Sequence, residues 1–264
     1  MRARTLLVGC GRVGTRVGKL LLAGGGDVTG LRRDPTHLPS SFTPITADLR
    51  DPLPFALPAF DAMVITLSPA IASDYSEPLR HLASALPRTP QRTVFTSSTR
   101  VLEGYDASRP LTESDPARPH SPRGHVLHEG EQLARELFGA IILRPAGIYG
   151  NGRDRLVKTV LERRPVEHYR HTNRIHETDL ARAIAALLTT PRPPMLLHAV
   201  DGAPSTLGEV VTHIAGRLGE PVPPRAEPDP GAGTILDGTS LLELLCHLEV
   251  PDFRAGYNEM INAR

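Results

Sequence analysis

The stretch TLLVGCGRVGTRV at residues 5–17 constrains this chain more than any other. A short apolar run ends on Gly9, and Gly11 and Gly14 follow at G-x-G-x-x-G spacing before a helical pattern begins. In a strand-turn-helix unit the first glycine permits the tight turn. The second lets backbone approach a diphosphate, and the third lets helix and strand pack closely. The start of the helix then offers backbone N–H groups and the positive end of its dipole to phosphate. A dinucleotide is therefore expected against Gly9, Gly11, Arg12, Val13 and Gly14. The alternative is a glycine turn that serves packing alone.

The remainder of the first half repeats this plan. Apolar runs at 27–33, 45–49, 61–67 and 93–98 read as strands, with helical patterns at 12–24 and 76–86. Such alternation is the signature of βαβ units in a parallel sheet, so the fold class is α/β, a Rossmann-type doubly wound sheet. After a proline-rich crossing, Leu127, Gly130, Ala134, Leu137 and Phe138 recur at helical spacing and give the next helix one face to bury. A strand leaves at 140–150, a helix follows at 176–188 and a strand at 194–200. Helices at 205–219 and 241–248 flank a Pro/Gly linker at 220–234. The reading is a nucleotide-binding core over 1–150, completed by 173–200, with 151–172 and 201–264 as a small substrate-side cap.

Charge narrows the partners. Thirty Lys and Arg against 29 Asp and Glu leave a net charge of +1, so no field gathers nucleic acid or an anionic membrane, and a small-molecule substrate is favoured. Two cysteines, Cys10 in the glycine loop and Cys246 in an apolar run, are a poor basis for a bridge and suit the reducing cytoplasm. The N-terminal apolar run is too short for a signal peptide, and no stretch approaches a membrane span. Eleven histidines are scattered without metal-ligand spacing. The basic segment 155–165 and HYRH at 168–171 read as a solvated helix face and a charged loop.

Cofactor choice rests on GLRRD at 30–34. Arg32 and Arg33 stand where an NAD-binding chain carries a carboxylate for the ribose hydroxyls, and guanidinium groups there suit a 2′-phosphate, so NADP is expected over NAD. Arg12 could add a third contact. Asp48 and Leu49 are adenine-side candidates, although an Asp in a turn often serves only the turn. Leu67, closing the run 61–67, completes this side of the cofactor set.

Four further stretches carry a family resemblance: FTSSTRVLEG (95–104), PRGHVLHEGEQLA (122–134), ILRPAGIYGNGR (142–153) and NRIHETDLARAI (173–184). Together with the glycine loop they resemble an atypical, extended short-chain dehydrogenase/reductase of the NAD-dependent epimerase/dehydratase group. The resemblance implies that Pro145 and Ala146 lie near the nicotinamide, that Tyr149 and Arg174 face the substrate, and that His176 is at the site. Members usually carry Tyr-x-x-x-Lys on the helix after strand five, whereas the aligned residues here are Arg123 and Leu127. Arginine can stabilise an oxyanion but cannot cycle as acid and base.

Three catalytic candidates follow: Ser98 and Arg123 to polarise a carbonyl oxygen, and His176 to supply a proton. Ser98 has the plainer alternative of bonding backbone. His125 and His128 flank the substituted positions at angles that point them toward solvent, although a one-residue shift of the helix start could turn His125 inward, which leaves replacement catalysis by either histidine as the alternative. Glu129 or Glu131 with Arg135 reads as an exposed ion pair. An oxidoreductase or epimerase acting on a polar carbonyl or sugar-like substrate and an NADP-binding sensor without chemistry both remain open. In many relatives the helices at 76–86 and 123–138 form a homodimer interface, which would make Arg123 and His128 contact residues.

Overall fold

Gly9 has φ +74°, and a Cβ there would stand 3.1 Å from the Thr66 carbonyl oxygen, so only glycine lets the first strand turn directly into the first helix. The structure is a computed structural model that describes residues 2–67, 74–227 and 233–263. Along the chain run β1 (Arg4–Val8), α1 (Arg12–Ala23), β2 (Asp27–Arg32), β3 (Thr43–Thr46), β4 (Ala62–Ile65), α2 (Ser76–Ala85) and β5 (Arg92–Thr96). A 3-10 turn (Thr99–Leu102), β6 (Pro110–Leu111), α3 (Pro122–Phe138), β7 (Ile141–Pro145), β8 (Gly147–Tyr149) and α4 (Arg155–Leu161) follow. The last elements are β9 (His171–Thr172), β10 (Arg174–His176), α5 (Glu177–Thr189), β11 (Leu196–Ala199), β12 (Ser205–Thr206), α6 (Leu207–Leu218), β13 (Ile235–Leu236), α7 (Thr239–Leu245) and α8 (Phe253–Asn262). The chain divides into two compact units, one of Met1–Val101, Pro119–Arg144 and Ala181–Leu197, the other of Leu102–Arg118, Pro145–Leu180 and His198–Arg264.

The first unit is built on a seven-stranded sheet in the order β11-β7-β5-β4-β1-β2-β3. The pairings from β3 through β7 are all parallel. Their apolar runs explain this: β4 and β7 are buried at every position, as strands covered on both faces must be. The sheet is the Rossmann-type α/β fold that the alternation of runs predicts. Chain order reverses at β1, which lies between β2 and β4, and the glycine turn leaves β1 at that switch point. β3 occupies 43–46 rather than the expected 45–49. Ala47 still donates to the Arg32 carbonyl, but Asp48 Oδ1 then accepts the Arg50 N–H at 3.1 Å and turns the chain away. α3 begins where the sequence places it, because the Ser121 hydroxyl accepts the Gly124 N–H at 3.1 Å, Pro122 follows, and Gly139 closes the helix at φ +57°.

The second unit packs α4, α6 and α8 around Tyr149, Val160, Val211, Ile214, Phe253 and Met260. Short strand pairs complete it: β8 with β10, β9 with β12, and β6 with β13. α4 stops at Leu161, short of the expected 165. Arg163 takes φ +51°, and the Arg163 and Arg164 N–H groups close the helix on the Val160 and Thr159 carbonyls. α7 runs over 239–245 instead of 241–248, and α8 goes unforeseen in the sequence although Asp252 caps it by accepting the Ala255 N–H at 2.9 Å. Of the linker expected at 220–234, residues 228–232 lie outside the described residues. Both cysteines are free. Among the described residues no helix is long and apolar enough to cross a membrane.

Candidate functional site

A cavity of about 360 Å³ opens in the first unit beside the glycine turn. Of the expected cofactor residues, Gly9, Gly11, Arg32, Arg33, Asp48, Leu49 and Leu67 form its wall. Arg12, Val13 and Gly14 are not part of that wall, and Pro145 and Ala146 belong to the second unit. A Cβ on Gly11 would find only the Gly9 carbonyl oxygen, at 3.7 Å. The protein itself leaves this space open, as a backbone cradle for a diphosphate requires. Gly11 is also the N-cap of α1 and brings no side chain to it, so no cap competes for the first-turn N–H groups.

Three arginines and two aspartates line this cavity, and both acids are engaged locally. Asp34 Oδ1 accepts from the Thr36 hydroxyl at 2.6 Å and the Thr36 N–H at 3.0 Å, and these bonds hold its carboxyl below the ordinary range. Asp48 is chelated by Arg50, with Nη2 donating to Oδ2 at 2.5 Å and Nε to Oδ1 at 3.1 Å, which lowers its pKa too. Arg32 donates to the Cys10 carbonyl at 3.2 Å, and Arg33 stands in solvent. Arg50 and Cys10 are wall residues the sequence does not announce. Burial raises the Cys10 thiol pKa.

Elsewhere in the same unit, Ser98 follows β5 and its hydroxyl accepts the Arg100 N–H at 3.2 Å, the backbone bond that is its plainer alternative. Arg123 is exposed, and its charge opposes the burial that drives up the pKa of Tyr75. Leu127 is 2 % exposed. His125 lies on the surface with Nδ1 3.0 Å from the Ser121 carbonyl. Glu131 corrects the sequence reading, for it is fully buried and makes no surface pair with Arg135. Its Oε1 accepts from Ser97 Oγ at 2.7 Å and Arg144 Nε at 2.8 Å, and its Oε2 from Arg144 Nη2 at 2.7 Å. This clamp fixes α3 to the ends of β5 and β7.

The second unit contains a cavity of about 500 Å³. Tyr149 and Arg174, the expected substrate-side residues, line it, and Arg153, Arg155 and Arg170 join them. The sequence hides these three, because positions 153, 155 and 170 converge only once β8 pairs β10. Arg174 is buried, donating Nη1 to Ser205 Oγ at 2.9 Å and Nη2 to Thr172 Oγ1 at 2.6 Å, and burial lowers its pKa. Tyr149 stacks on Tyr257 at 5.1 Å, donates to the Asp252 carbonyl at 3.0 Å, and has its pKa driven up by burial. His176 is 4 % exposed. The Thr178 N–H reaches its Nδ1 at 3.4 Å, and the edge of its ring meets Tyr149 at 5.2 Å.

A parallel sheet with a glycine turn at its switch point defines the class as a Rossmann-type α/β protein. More narrowly, the chain belongs to the family described as RmlD substrate binding domain, whose model matches residues 76–213. A protein from Methylobacillus flagellatus assigned to the NAD-dependent epimerase/dehydratases is 29 % identical, with a TM-score of 0.83 over 100 % of this chain and 99 % of its own. The UDP-glucose 4-epimerase of Thermus thermophilus, in complex with NAD, is 19 % identical with a TM-score of 0.75 over 99 % of this chain and 100 % of its own. The UDP-glucuronic acid 4-epimerase of Bacillus cereus, with UDP-glucuronic acid and NAD, is 17 % identical with a TM-score of 0.75 over 98 % and 99 %. Both epimerases share the fold. Among curated proteins, none matches the sequence.

Proposed function

We propose that the chain is an NADP-dependent oxidoreductase or epimerase acting on a polar substrate that carries a carbonyl or sugar-like group and a negative charge. The observation that carries the reading is the wall of the first cavity. Its glycine cradle is open, its two acids are engaged with Thr36 and Arg50, and Arg32 and Arg33 remain to meet a 2′-phosphate. The M. flagellatus and epimerase relatives support a nicotinamide dinucleotide in general, and the two epimerase structures contain NAD. Arg32 and Arg33 favour the phosphorylated form in this chain.

When bound, the nicotinamide supplies or accepts a hydride. The amides of the first turn of α1 would hold the diphosphate, and Asp48 and Leu49 would border the adenine. Ser98 can donate a hydrogen bond to a carbonyl oxygen, and Arg123 can stabilise negative charge on one, but neither replaces the proton cycling of a tyrosine beside a lysine. His176 is the proton-carrying group proposed in the second unit. The arginines of the second cavity support the negative charge assigned to the substrate. A polar, anionic small molecule such as a phosphorylated sugar meets these requirements, and the UDP-sugar epimerases of the same fold fit that class.

The test is NADPH oxidation across a panel of phosphorylated and unphosphorylated carbonyl compounds. Turnover with at least one, reduced at least tenfold by Ser98→Ala, supports the enzyme. Tight NADPH binding with no turnover on any member rejects it in favour of a nucleotide-reporting protein, the reading that Arg123 and Leu127 in place of Tyr and Lys would then explain.

A further inference from the structure

The polar groups behind the second cavity are not charge-balanced in any simple way. Arg174 spends both Nη groups on neutral hydroxyls, those of Ser205 and Thr172, and its carbonyl accepts the Asp201 N–H at 2.7 Å. Asp201 is 1 % exposed, and the hydrogen bond that reaches its carboxylate is a long one, from the Ala203 N–H at 3.3 Å. The two nearby acids are better served. Asp179, from α5, accepts the Glu249 and Val250 N–H groups at 2.9 Å on separate oxygens, and Asp252 caps α8. Tyr149 on β8 faces Asp201 as well, and Tyr257 on α8 faces Arg174.

Asp201 and Arg174 thus form a buried carboxylate and guanidinium whose charges offset each other, while the guanidinium's short bonds go to neutral hydroxyls and the carboxylate accepts a long one. A buried carboxylate is costly unless paired, and an anion arriving at the arginine-lined wall competes for the one cation that offsets this one. We infer that an anion entering the second cavity binds with uptake of a proton by Asp201, so that ligand charge replaces carboxylate charge opposite Arg174. The inference rests on the anionic-substrate reading of that cavity. Burial already pushes the Asp201 carboxyl up to about 7, with Asp252 and Asp179 adding to the rise and Arg174 opposing it. The carboxyl is therefore poised to change state near neutrality. At the level of function, a substrate of fixed charge would be held more tightly at pH 6 than at pH 8.5.

Isothermal titration of the full chain with ethane-1,2-disulfonate, whose two charges do not titrate, tests this. Titrations run in two amine buffers of different ionisation enthalpy, from pH 6 to pH 8.5. The expected result is uptake of between about half and one proton per probe at pH 7.5, and an affinity that falls roughly five- to tenfold between pH 7 and pH 8.5. Asp201→Asn should abolish both. Asp201→Ser serves the same purpose if Asn fails to fold, and the proton count on the unaltered chain needs neither. Binding without proton uptake, or uptake that persists in Asp201→Asn, overturns the linkage and leaves the anion site standing. No binding at any pH, or binding indifferent to Arg155→Ala, overturns the anion site and the linkage with it.

Discussion

Arg33 and Arg174 are the same side chain in opposite surroundings. Arg33 stands in solvent on the wall of the first cavity, beside acids already engaged by Thr36 and Arg50. Arg174 is 5 % exposed on the wall of the second, lies 5.8 Å from the Phe253 ring centroid, and donates to two hydroxyls. An exposed cation contributes to ligand affinity and almost nothing to the fold. A buried one is part of the fold, so its removal cannot by itself reveal a ligand-binding role. Arg155 and Arg33 are therefore the positions at which recognition can be read cleanly.

The comparison breaks most easily on stability. Arg174→Ala removes the donor to the buried Ser205 hydroxyl and leaves Asp201 without its cation, while Thr172 keeps its bond to the Ser205 carbonyl, and should lower the unfolding free energy by roughly 3–5 kcal/mol in urea titration. Arg33→Ala should leave the urea midpoint in place. Similar losses for both would mean that Arg174 is no more structural than a surface residue. Next in size is the pH dependence at Asp201. Its folded pKa lies above the ordinary carboxylate value, so the stability it contributes is complete below about pH 4 and is lost as pH rises toward 7. Relative to Asp201→Asn, the unaltered chain should lose on the order of 3 kcal/mol between pH 4 and pH 7.5. Parallel stability curves for the two proteins would contradict that burial.

A smaller effect sharpens the first cavity. Arg32→Ala and Arg33→Ala should each weaken NADPH binding by about 1.5–3 kcal/mol, the worth of a charged hydrogen bond, while hardly changing NADH binding, as followed by nicotinamide fluorescence. Equal losses for both nucleotides would remove the 2′-phosphate assignment. Least of all, Arg50→Ala should give no resolvable shift in melting temperature, because the Arg50 side chain is exposed and its pair with the half-buried Asp48 is reached by solvent. A clear drop would make that pair a structural element of the cavity wall.

The fold is largely legible in the sequence because its signals are local. The glycine spacing, the apolar runs and the Ser121-Pro122 helix start each act within a few residues. α8 escapes because FRAGYNEMIN has a thin apolar stripe, with Phe253, Tyr257 and Met260 as its main buried side chains. Glu131 misleads for the same reason that the arginine cavity stays hidden. Helical spacing offers Arg135 as its neighbour, whereas its partners are Ser97, just past β5, and Arg144 in β7, 34 and 13 residues away in sequence. A pairing made through a sheet leaves no periodic trace in the chain. His176 and Ser98 show the limit from the other side, since motif and strand end can name the residues but not the bonds they make.

Leu127 shows how firmly the packing of α3 fixes the chemistry that this helix can offer. Where the family resemblance leads one to expect a lysine stands Leu127, only 2 % exposed, on the buried face of α3 that also carries Ala134 and Phe138. Placing a lysine there would require an ammonium group to enter that packing or α3 to be levered outward, against the clamp that Glu131 places on it. A lysine introduced at position 127 would for that reason cost folding stability before it could add any chemistry, and whatever the chain binds or turns over does so around an apolar position on this helix.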